Sequence, residues 1–202
     1  MPYVEASVRR TQLVHAARTV LARDGVARTS LRAVAAEAGV PLGTMQYVFP
    51  SKDQLLRAVI EDVGREIADV LRVTAELDDG LEHAIRFGVS TFWARLVASH
   101  VGLQLMQYEL TTYSLRTSGQ EYLARLQYER YVAVVAEWCE RAATLAGETS
   151  AVPFDRLARI IVASVDGLIL QYISDADDER SREDLEAVID MVVSLAGARR
   201  GA

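Results

Sequence analysis

Residues 31–56 constrain the fold of this chain more than any other stretch, because two short helical patterns lie there between strong helix-ending signals. Apolar residues recur at spacings of three and four over the first eight positions, which predicts a helix with one apolar face. They are Leu31, Val34, Ala35 and Ala38. Gly39 follows them, and glycine readily adopts the positive φ that ends a helix. We therefore predict a short helix over Leu31 to Ala38.

A second short helix is predicted over Leu42 to Val48. Pro41 precedes it, and proline is tolerated in the first turn of a helix because its missing N–H has no partner to lose there. Pro50 ends this helix, and Ser51 with Gln54 forms the capping-box pattern that begins a third one. Two short helices joined by a glycine-containing turn are typical of a helix-turn-helix, whose second helix enters the major groove of DNA.

The charge distribution favours contact with DNA at one end of the chain. The 202 residues carry a net charge of −6, which alone argues against a nucleic-acid partner. Residues 1–55, however, contain seven basic and four acidic residues, a net charge of +3, so the remainder carries −9. A basic amino-terminal module on an acidic body is expected to touch phosphate groups with one end only.

The rest of the chain predicts an all-α protein of about nine helices. Apolar residues recur at helical spacing, only four prolines interrupt them, and no alternating strand pattern occurs. The other helices are expected at about residues 9–23, 51–74, 81–98, 103–117, 120–146, 154–173 and 185–195, with a polar loop at 174–182 and a frayed tail from 198. We predict a helix-turn-helix domain over residues 1–50, a connecting helix over 51–79 and a second helical domain over 80–202.

Several classes of protein are not expected from this sequence. The chain has one cysteine, Cys139, so it cannot form an intrachain disulfide, and its position beside Trp138 predicts an inert, buried thiol. There is no signal segment and no run near about 18 consecutive apolar residues, so we expect a soluble, cytoplasmic protein with no membrane partner. No phosphate loop, nucleophile elbow or zinc motif occurs, and we therefore expect no catalytic residue, no cofactor and no metal site.

The most specific motif is the end of the helix-turn-helix, where an aromatic-x-Phe-x-Ser-Lys sequence precedes two leucines. Its residues are Tyr47, Phe49, Ser51, Lys52, Leu55 and Leu56, and the matching residues upstream are Ala16-Ala17, Val20-Leu21, Gly25, Thr29-Ser30, Val34-Ala35, Ala38-Gly39-Val40 and Gly43-Thr44. In this combination the chain resembles the TetR family of bacterial transcriptional regulators. The resemblance implies an amino-terminal three-helix DNA-binding module and a carboxy-terminal helical domain that binds a small-molecule effector and dimerises.

The resemblance, together with side-chain chemistry, gives eight candidate DNA-binding residues. Glutamine can bond adenine through two hydrogen bonds, threonine or leucine can meet a thymine methyl group, and glycine permits close backbone approach. Hydroxyl and amino groups suit phosphates, which position a protein without specifying sequence. The candidates for base edges are Leu42, Gly43, Thr44 and Gln46, those for phosphates are Ser30, Tyr47 and Lys52, and Arg32 suits either. Met45, Val48 and Phe49 are expected to form the core beneath the helix.

An effector cavity is implied by the resemblance, and aromatic residues are concentrated between Phe92 and Trp138. An apolar wall with a few polar groups is typical of a small-molecule pocket, although a core role is the alternative for each residue taken alone. The candidate ligand-binding residues are Phe92, Trp93, Leu96, Met106, Glu109, Tyr113 and Tyr128.

The last two helices predict a dimer interface. Apolar residues cover nearly the whole circumference of the helix at 154–173, and such a helix must be buried on all sides. A partner subunit related by a two-fold axis is an economical cover, and it would set two reading helices about 34–36 Å apart or a multiple of this. The candidate interface residues are Val165, Leu168, Ile169, Tyr172, Val188 and Val192.

These observations together predict a homodimeric, ligand-responsive, sequence-specific DNA-binding transcriptional regulator. A repressor released from a near-palindromic double-stranded operator by a small molecule is favoured, with activation left open. Two alternatives remain open at this point. One is a DNA-binding regulator without a small-molecule inducer, and the other is an all-α small-molecule enzyme or carrier that keeps a helix-turn-helix.

Overall fold

The chain is all-α, as the sequence predicts. The structure is a computed structural model that describes residues 6–73, 79–98 and 100–200, and these ranges contain nine α-helices. They are α1 (Ala6–Asp24), α2 (Leu31–Glu37), α3 (Leu42–Val48), α4 (Lys52–Val73), α5 (Leu81–Phe92), α6 (Val101–Arg116), α7 (Glu121–Leu145), α8 (Phe154–Ser174) and α9 (Asp178–Ala196). A π-helical turn, Trp93–Val97, continues α5, and two short strands, β1 (Glu148–Thr149) and β2 (Arg199–Arg200), pair antiparallel.

The helices form two compact units. Unit 1 consists of the described residues up to Val63 together with Gly102–Gln127, and unit 2 consists of Gly64–Val101 and the residues from Tyr128 onward. The sequence-based boundaries at residues 50 and 80 followed the connecting helix, whereas the compact units place α6 and the start of α7 with the amino-terminal helices. The helix α4 therefore begins in unit 1 and ends in unit 2.

The core of unit 1 forms where the apolar faces of α1 to α4 meet. Met45, Phe49, Leu55 and Leu56 are fully buried there, and residues from α6 and α7 join the same cluster. Each buried side chain of this size contributes roughly 1.5–3 kcal/mol relative to its exposed state. A partly buried ion pair of Arg18 Nη1 with Asp62 Oδ2, 2.9 Å apart, adds a contact between α1 and α4. Apolar burial therefore fixes the position of the two short helices.

Unit 2 is built on α5, α8 and α9, in which α9 packs against both α5 and α8. The second part of α7 also contributes, because its Trp138 indole lies against the backbone of Gly88 in α5. A Cβ atom added at Gly88 would lie 2.4 Å from that ring, so only glycine allows this approach. At the start of α5, Glu148 Oε2 accepts a hydrogen bond of 2.7 Å from the Leu81 N–H.

The ends of two elements differ from the sequence-based prediction. The polar loop predicted at 174–182 ends early, because α9 already begins at Asp178. Asp177 caps this helix by accepting a 3.0 Å hydrogen bond from the Arg180 N–H, and acidic residues in the first turn suit the positive end of the helix dipole. The predicted frayed tail is paired at Arg199–Arg200, while residues 201–202 and the predicted helix end near Thr74 lie outside the described residues.

Helix α8 is long and apolar enough to cross a membrane by length and composition alone, with a mean hydropathy of 1.5. Its sequence contains no unbroken apolar run of this length, because charged residues, including Asp166, interrupt it. Core helices of soluble proteins meet the same criterion. Only 33% of the 18-residue apolar stretch of α8 is buried within this chain. Part of its apolar surface is therefore free to pack against another molecule.

Candidate functional site

Helix α2 and the turn after it are fixed by hydrogen bonds from their neighbours. Ser30 caps α2, since its hydroxyl accepts a 3.2 Å hydrogen bond from the Ala33 N–H. The Gln12 side chain in α1 donates to the Ala38 carbonyl at 2.9 Å. Gly39 then takes a φ of +65°, which ends α2 and directs the chain into α3. The hydrogen bond from Gln12 thus connects α1 to the turn between the two short helices.

Helix α3 has one anchored side and one exposed side. Met45 is fully buried beneath it, as is Phe49 immediately after it, and this confirms their predicted place in the core. Gly43 and Gln46 are exposed on the other side, and Tyr47 is 87% exposed. The Tyr47 side chain is therefore available for contact with a partner molecule.

The structure places seven of the eight predicted DNA-binding residues at the surface formed by α2 and α3. Leu42 and Thr44 are partly exposed, and Ser30 and Arg32 are exposed beside Gly43, Gln46 and Tyr47. Lys52 differs from them. Its half-buried amino group donates a 2.5 Å hydrogen bond to the Val26 carbonyl and lies 4.8 Å from the centre of the Tyr113 ring, and burial lowers its pKa.

These contacts of Lys52 belong to a cluster that joins α6 to the turn between α1 and α2. Glu109 in α6 accepts a 3.0 Å hydrogen bond from the Val26 N–H. Gly25, at φ +79°, leaves room for the carboxylate, since an added Cβ would lie only 2.8 Å from Glu109 Oε2. We call Gly25, Val26, Lys52, Glu109 and Tyr113 the α6 clamp. A groove of about 330 Å³ lies beside it, between the turn and α6.

The α6 clamp changes the interpretation of the predicted ligand-binding residues. Met106, Glu109 and Tyr113 lie in unit 1. Met106 is part of the buried core, and the other two contact the helix-turn-helix of α1 to α3 and the start of α4, which we call the reading module. The other four lie in unit 2, and they are Phe92, Trp93, Leu96 and Tyr128. The seven residues are therefore divided between two compact units. The sequence did not predict this division, because an apolar pattern does not show which helices α6 packs against.

Aromatic side chains in unit 2 form two edge-to-face pairs. Trp93, on the π-helical turn, meets Tyr172 with ring centres 5.6 Å apart, and Tyr128 meets Tyr131 at 6.0 Å. π-Helical turns are frequent at functional sites. Asp166 is hydrogen-bonded with Tyr128, and burial raises the pKa of its carboxyl group. Sequence reasoning missed Asp166, although it is the single acidic residue between Leu157 and Ile173 in an otherwise apolar helix.

The predicted dimer-interface residues divide by exposure. Val165, Ile169, Tyr172 and Val192 are buried within the chain, so they serve the core of unit 2, while Leu168 and Val188 are partly exposed. The periodicity of the sequence showed that α8 is apolar all round but not which face the chain itself covers. The exposed face carries Leu170, and the exposed face of α9 carries Met191, each 52% exposed.

Cys139 is buried, as predicted, and burial raises the pKa of its thiol to about 12. The thiol is therefore protonated and unreactive near neutral pH. Among residues 6–73, 79–98 and 100–200, no group of three or more histidine, cysteine or acidic side chains is arranged to hold a metal ion. The two short helices α2 and α3 are joined by a turn at Gly39 and pack against each other, and α2 packs on α1, which is the geometry of a helix-turn-helix DNA-binding protein.

Comparison with known proteins gives the family. The model described as "Bacterial regulatory proteins, tetR family" matches residues 13–59, and the one described as "Tetracyclin repressor-like, C-terminal domain" matches residues 88–195. The chain therefore belongs to the TetR family, and it is a ligand-responsive, DNA-binding transcriptional repressor.

Relatives match over nearly the whole chain. The nicotine-responsive transcriptional repressor HdnoR of Paenarthrobacter nicotinovorans is 30% identical over 192 residues, which are 94% of this chain and 96% of that protein. Among solved structures, GusR of Salmonella enterica has a TM-score of 0.71 at 20% identity and covers 94% of this chain and 95% of its own, which shows the shared fold. The structure of the multidrug binding protein EbrR complexed with malachite green has a TM-score of 0.63 at 28% identity, and the match covers 93% of this chain and 98% of that one.

Proposed function

We propose that two copies of this chain bind a near-palindromic operator, with α3 of each copy in the major groove of one half-site. The observation that carries this proposal is the exposed pair Gln46 and Tyr47 on a helix anchored by Met45 and Phe49. Gln46 reads a base edge, with Leu42, Gly43 and Thr44 beside it. Tyr47, Ser30 and Arg32 contact phosphates, and Lys52 acts chiefly inside the α6 clamp.

The roles of Gln46 and Tyr47 are separable by mutation. The operator is first selected from random DNA with the wild-type protein, and affinities are then measured for that site and for all its single-base variants. Gln46→Ala should lose the preference at one base pair, worth about 1–3 kcal/mol, and leave the other positions unchanged. Tyr47→Ala should weaken binding to every variant by a similar factor. If Gln46→Ala weakens all variants equally, the assigned role of Gln46 is wrong.

We place the effector at the two aromatic pairs of unit 2 and Asp166, rather than at α6. Trp93, Tyr172, Tyr128 and Tyr131 supply ring faces and edges, and Asp166 supplies a carboxylate beside Tyr128. Aromatic rings attract cations through their faces, and a carboxylate strengthens that preference. The effector is therefore proposed to be an aromatic molecule with a protonated nitrogen. The nicotine response named for HdnoR supports this class.

Release of the selected operator tests the effector class. Nicotine and other molecules that join an aromatic ring to a protonated aliphatic nitrogen should lower operator occupancy. Neutral aromatic molecules of similar size should not do so at the same concentrations. Asp166→Asn should remove this distinction and leave DNA affinity without effector unchanged. Release by neutral and protonated compounds alike, equal in wild type and Asp166→Asn, contradicts the proposed class but not the DNA-binding function.

The remaining partner is proposed to be a second copy of the chain, bound through the exposed stripe of α8 and α9. Leu170 and Met191 supply its large apolar side chains, and Leu168 and Val188 are partly exposed at its edge. Gly167 and Ala163 allow close approach of two α8 helices, since nothing lies within 4 Å of a Cβ added at Gly167. The protein is proposed to act without catalysis, as a regulator in the cytoplasm, where its operator lies.

A further inference from the structure

A groove in unit 2, between the last turns of α4 and the second part of α7, is not used by the proposed function. Its volume is about 190 Å³. Its apolar floor is formed by Leu71, Val134 and Trp138, which are all buried, whereas its rim carries charged side chains. Pockets for drug-sized molecules span roughly 300–1,000 Å³, so this groove suits a molecule of about one ring.

The rim of the groove is predominantly basic. Arg72, Arg130 and Arg141 line it, and Glu137 is the one acidic residue among its lining side chains. Arg72 also pairs with Asp69 at 3.1 Å, but both side chains are mostly exposed, and such a pair contributes little free energy. The guanidinium group binds carboxylate and phosphate oxygens through paired hydrogen bonds, so this rim is suited to an oxyanion.

The arginine side chains are brought together by the backbone of two helices. On α7, Arg130, Val134 and Arg141 recur at spacings of four and seven, which places them on one side of the helix. The stem of Arg130 lies along the backbone of α4 at Gly64, where an added Cβ would be 2.5 Å from Arg130 Cγ. A larger residue at Gly64 would displace this side chain from its place over α4.

Trp138 gives an independent reason to expect a polar ligand. The residue is only 6% exposed, and its indole Nε1–H has no hydrogen-bond partner among the described residues. A buried donor without a partner destabilises the folded protein. The ring is held against Gly88 at one end, so it cannot turn freely to find an acceptor. Since Nε1 itself has almost no exposed surface, an oxygen atom of a bound molecule reaches it only when a side chain of the groove moves aside.

We propose that the groove binds a small organic anion. The arginine rim holds its carboxylate or phosphate oxygens, and the floor of Leu71, Val134 and Trp138 receives its apolar body. This site differs in residues and in ligand charge from the aromatic pairs and Asp166 proposed for the effector. It would give the protein a second small-molecule input, carried by the same helix α4 that begins beside the reading module.

Tryptophan fluorescence can report on this groove alone. The chain has two tryptophans, so Trp93→Phe leaves Trp138 as the only one. Titration of this variant with benzoate and with phenyl phosphate should change the emission to saturation for at least one of them, and the tighter of the two identifies the preferred anionic group. The neutral isostere benzamide should bind at least tenfold more weakly. Calorimetric titration of the wild-type protein with the same three compounds repeats the comparison without any substitution.

Two arginine variants and a matched control decide the role of the rim. Arg130→Gln and Arg141→Gln should each weaken anion binding at least tenfold and leave benzamide unaffected. Arg182→Gln, which removes an exposed arginine paired with Glu186 on α9, should leave anion binding unchanged. The proposal is overturned if neither anion binds at up to about 10 mM, if benzamide binds as well as benzoate, or if the two rim variants bind anions like the control. None of these measurements uses DNA, so their failure would not affect the proposed operator binding.

Discussion

Residue by residue, burial decides what each polar or reactive side chain of this protein can do. Tyr47 is exposed and available to DNA, whereas the amino group of Lys52, five positions later, donates to the Val26 carbonyl. Cys139 is the extreme case, since it is fully buried among apolar residues of α7 and its neighbours. Its side chain therefore contributes to stability, and in a way that depends on pH.

The thiol of Cys139 should make stability fall at alkaline pH. Its pKa rises from about 9 in the unfolded chain to about 12 in the folded one. Between these values the unfolded state loses a proton that the folded state keeps. The contribution is thus complete below pH 9 and is lost at up to about 1.4 kcal/mol per pH unit above it. The measurement is the free energy of unfolding in urea at pH 8 and pH 10.

Cys139→Ala is the control for this prediction, because all other titrating groups remain in both proteins. The variant should be less stable at pH 8 by roughly 1–2 kcal/mol, from the lost packing of the sulfur atom. At pH 10 the difference between the two proteins should have shrunk by about 1.4 kcal/mol, the value of one pKa unit. A difference that stays constant between the two pH values would show that the folded protein titrates its thiol normally.

Single residues also show what could be predicted from the sequence. The cap of α2 at Ser30 and the burial of Met45, Phe49 and Cys139 follow from local pattern, because neighbours in sequence determine them. The partners of Lys52 do not, since Tyr113 lies 61 positions away and the packing of α6 had to be known first. The contact of Asp166 with Tyr128 could not be predicted either, because it too joins two distant helices.

At the scale of elements, α6 has the most consequential position. Its Glu109 and Tyr113 hold the turn after α1 and the start of α4, so α6 is part of the support of the reading module. At the other end of this support, Tyr122 in α7 donates a 2.6 Å hydrogen bond to Asp53 in α4. A displacement of α6 would therefore have to break charged hydrogen bonds at the base of the helix-turn-helix.

The strength of the α6 clamp can be measured at Gly25. Gly25→Ala should cost the strain of an alanine at φ +79°, about 1–2 kcal/mol, and should also push the Glu109 carboxylate off the Val26 N–H. A hydrogen bond to a charged group contributes about 1.5–3 kcal/mol. The expected total loss in the free energy of unfolding is therefore about 2.5–5 kcal/mol, measured by urea denaturation.

Gly119→Ala is a closely matched control for Gly25→Ala, since its φ is +81° and nothing lies within 4 Å of the added Cβ. It should show the backbone strain alone, so the difference between the two variants measures the contact with Glu109. In a Glu109→Ala background the two glycine substitutions should cost the same. If Gly25→Ala still costs more there, the excess does not come from the clamp.

The bounds of the elements were predictable where apolar periodicity and caps agree. Helix α3 spans Leu42–Val48 as predicted, because Pro41 and Pro50 frame it. Helix α9 begins seven residues before the predicted start at Leu185. Its first turns are polar, so apolar periodicity does not mark them, and the only local signals are the Asp177 cap and the acidic first turn. The units could not be predicted in this way, because they depend on contacts between distant helices.

For the whole molecule, the exposed apolar residues of α8 and α9 favour the proposed pairing of two copies of the chain. Only 33% of the 18-residue apolar stretch of α8 is buried by the chain itself, and α9 exposes Met191. Symmetric pairing of this surface would cover it and place two reading helices on one duplex. Dimerisation and operator affinity should therefore be lost together.

Leu170→Glu and Met191→Glu test this link. Each should place a charge in the proposed interface, lower the molar mass measured by light scattering to that of one chain, and leave the helical circular dichroism unchanged. Because only one half-site can then be held, affinity for the selected operator should fall about 10²–10⁴-fold, while binding to an isolated half-site stays the same. Leu145→Glu, at a leucine that is 53% exposed on α7, is the matched control and should behave like wild type. A Leu170→Glu protein that remains dimeric would place the interface elsewhere, and one that is monomeric with full operator affinity would show that the dimer is not what reads the two half-sites.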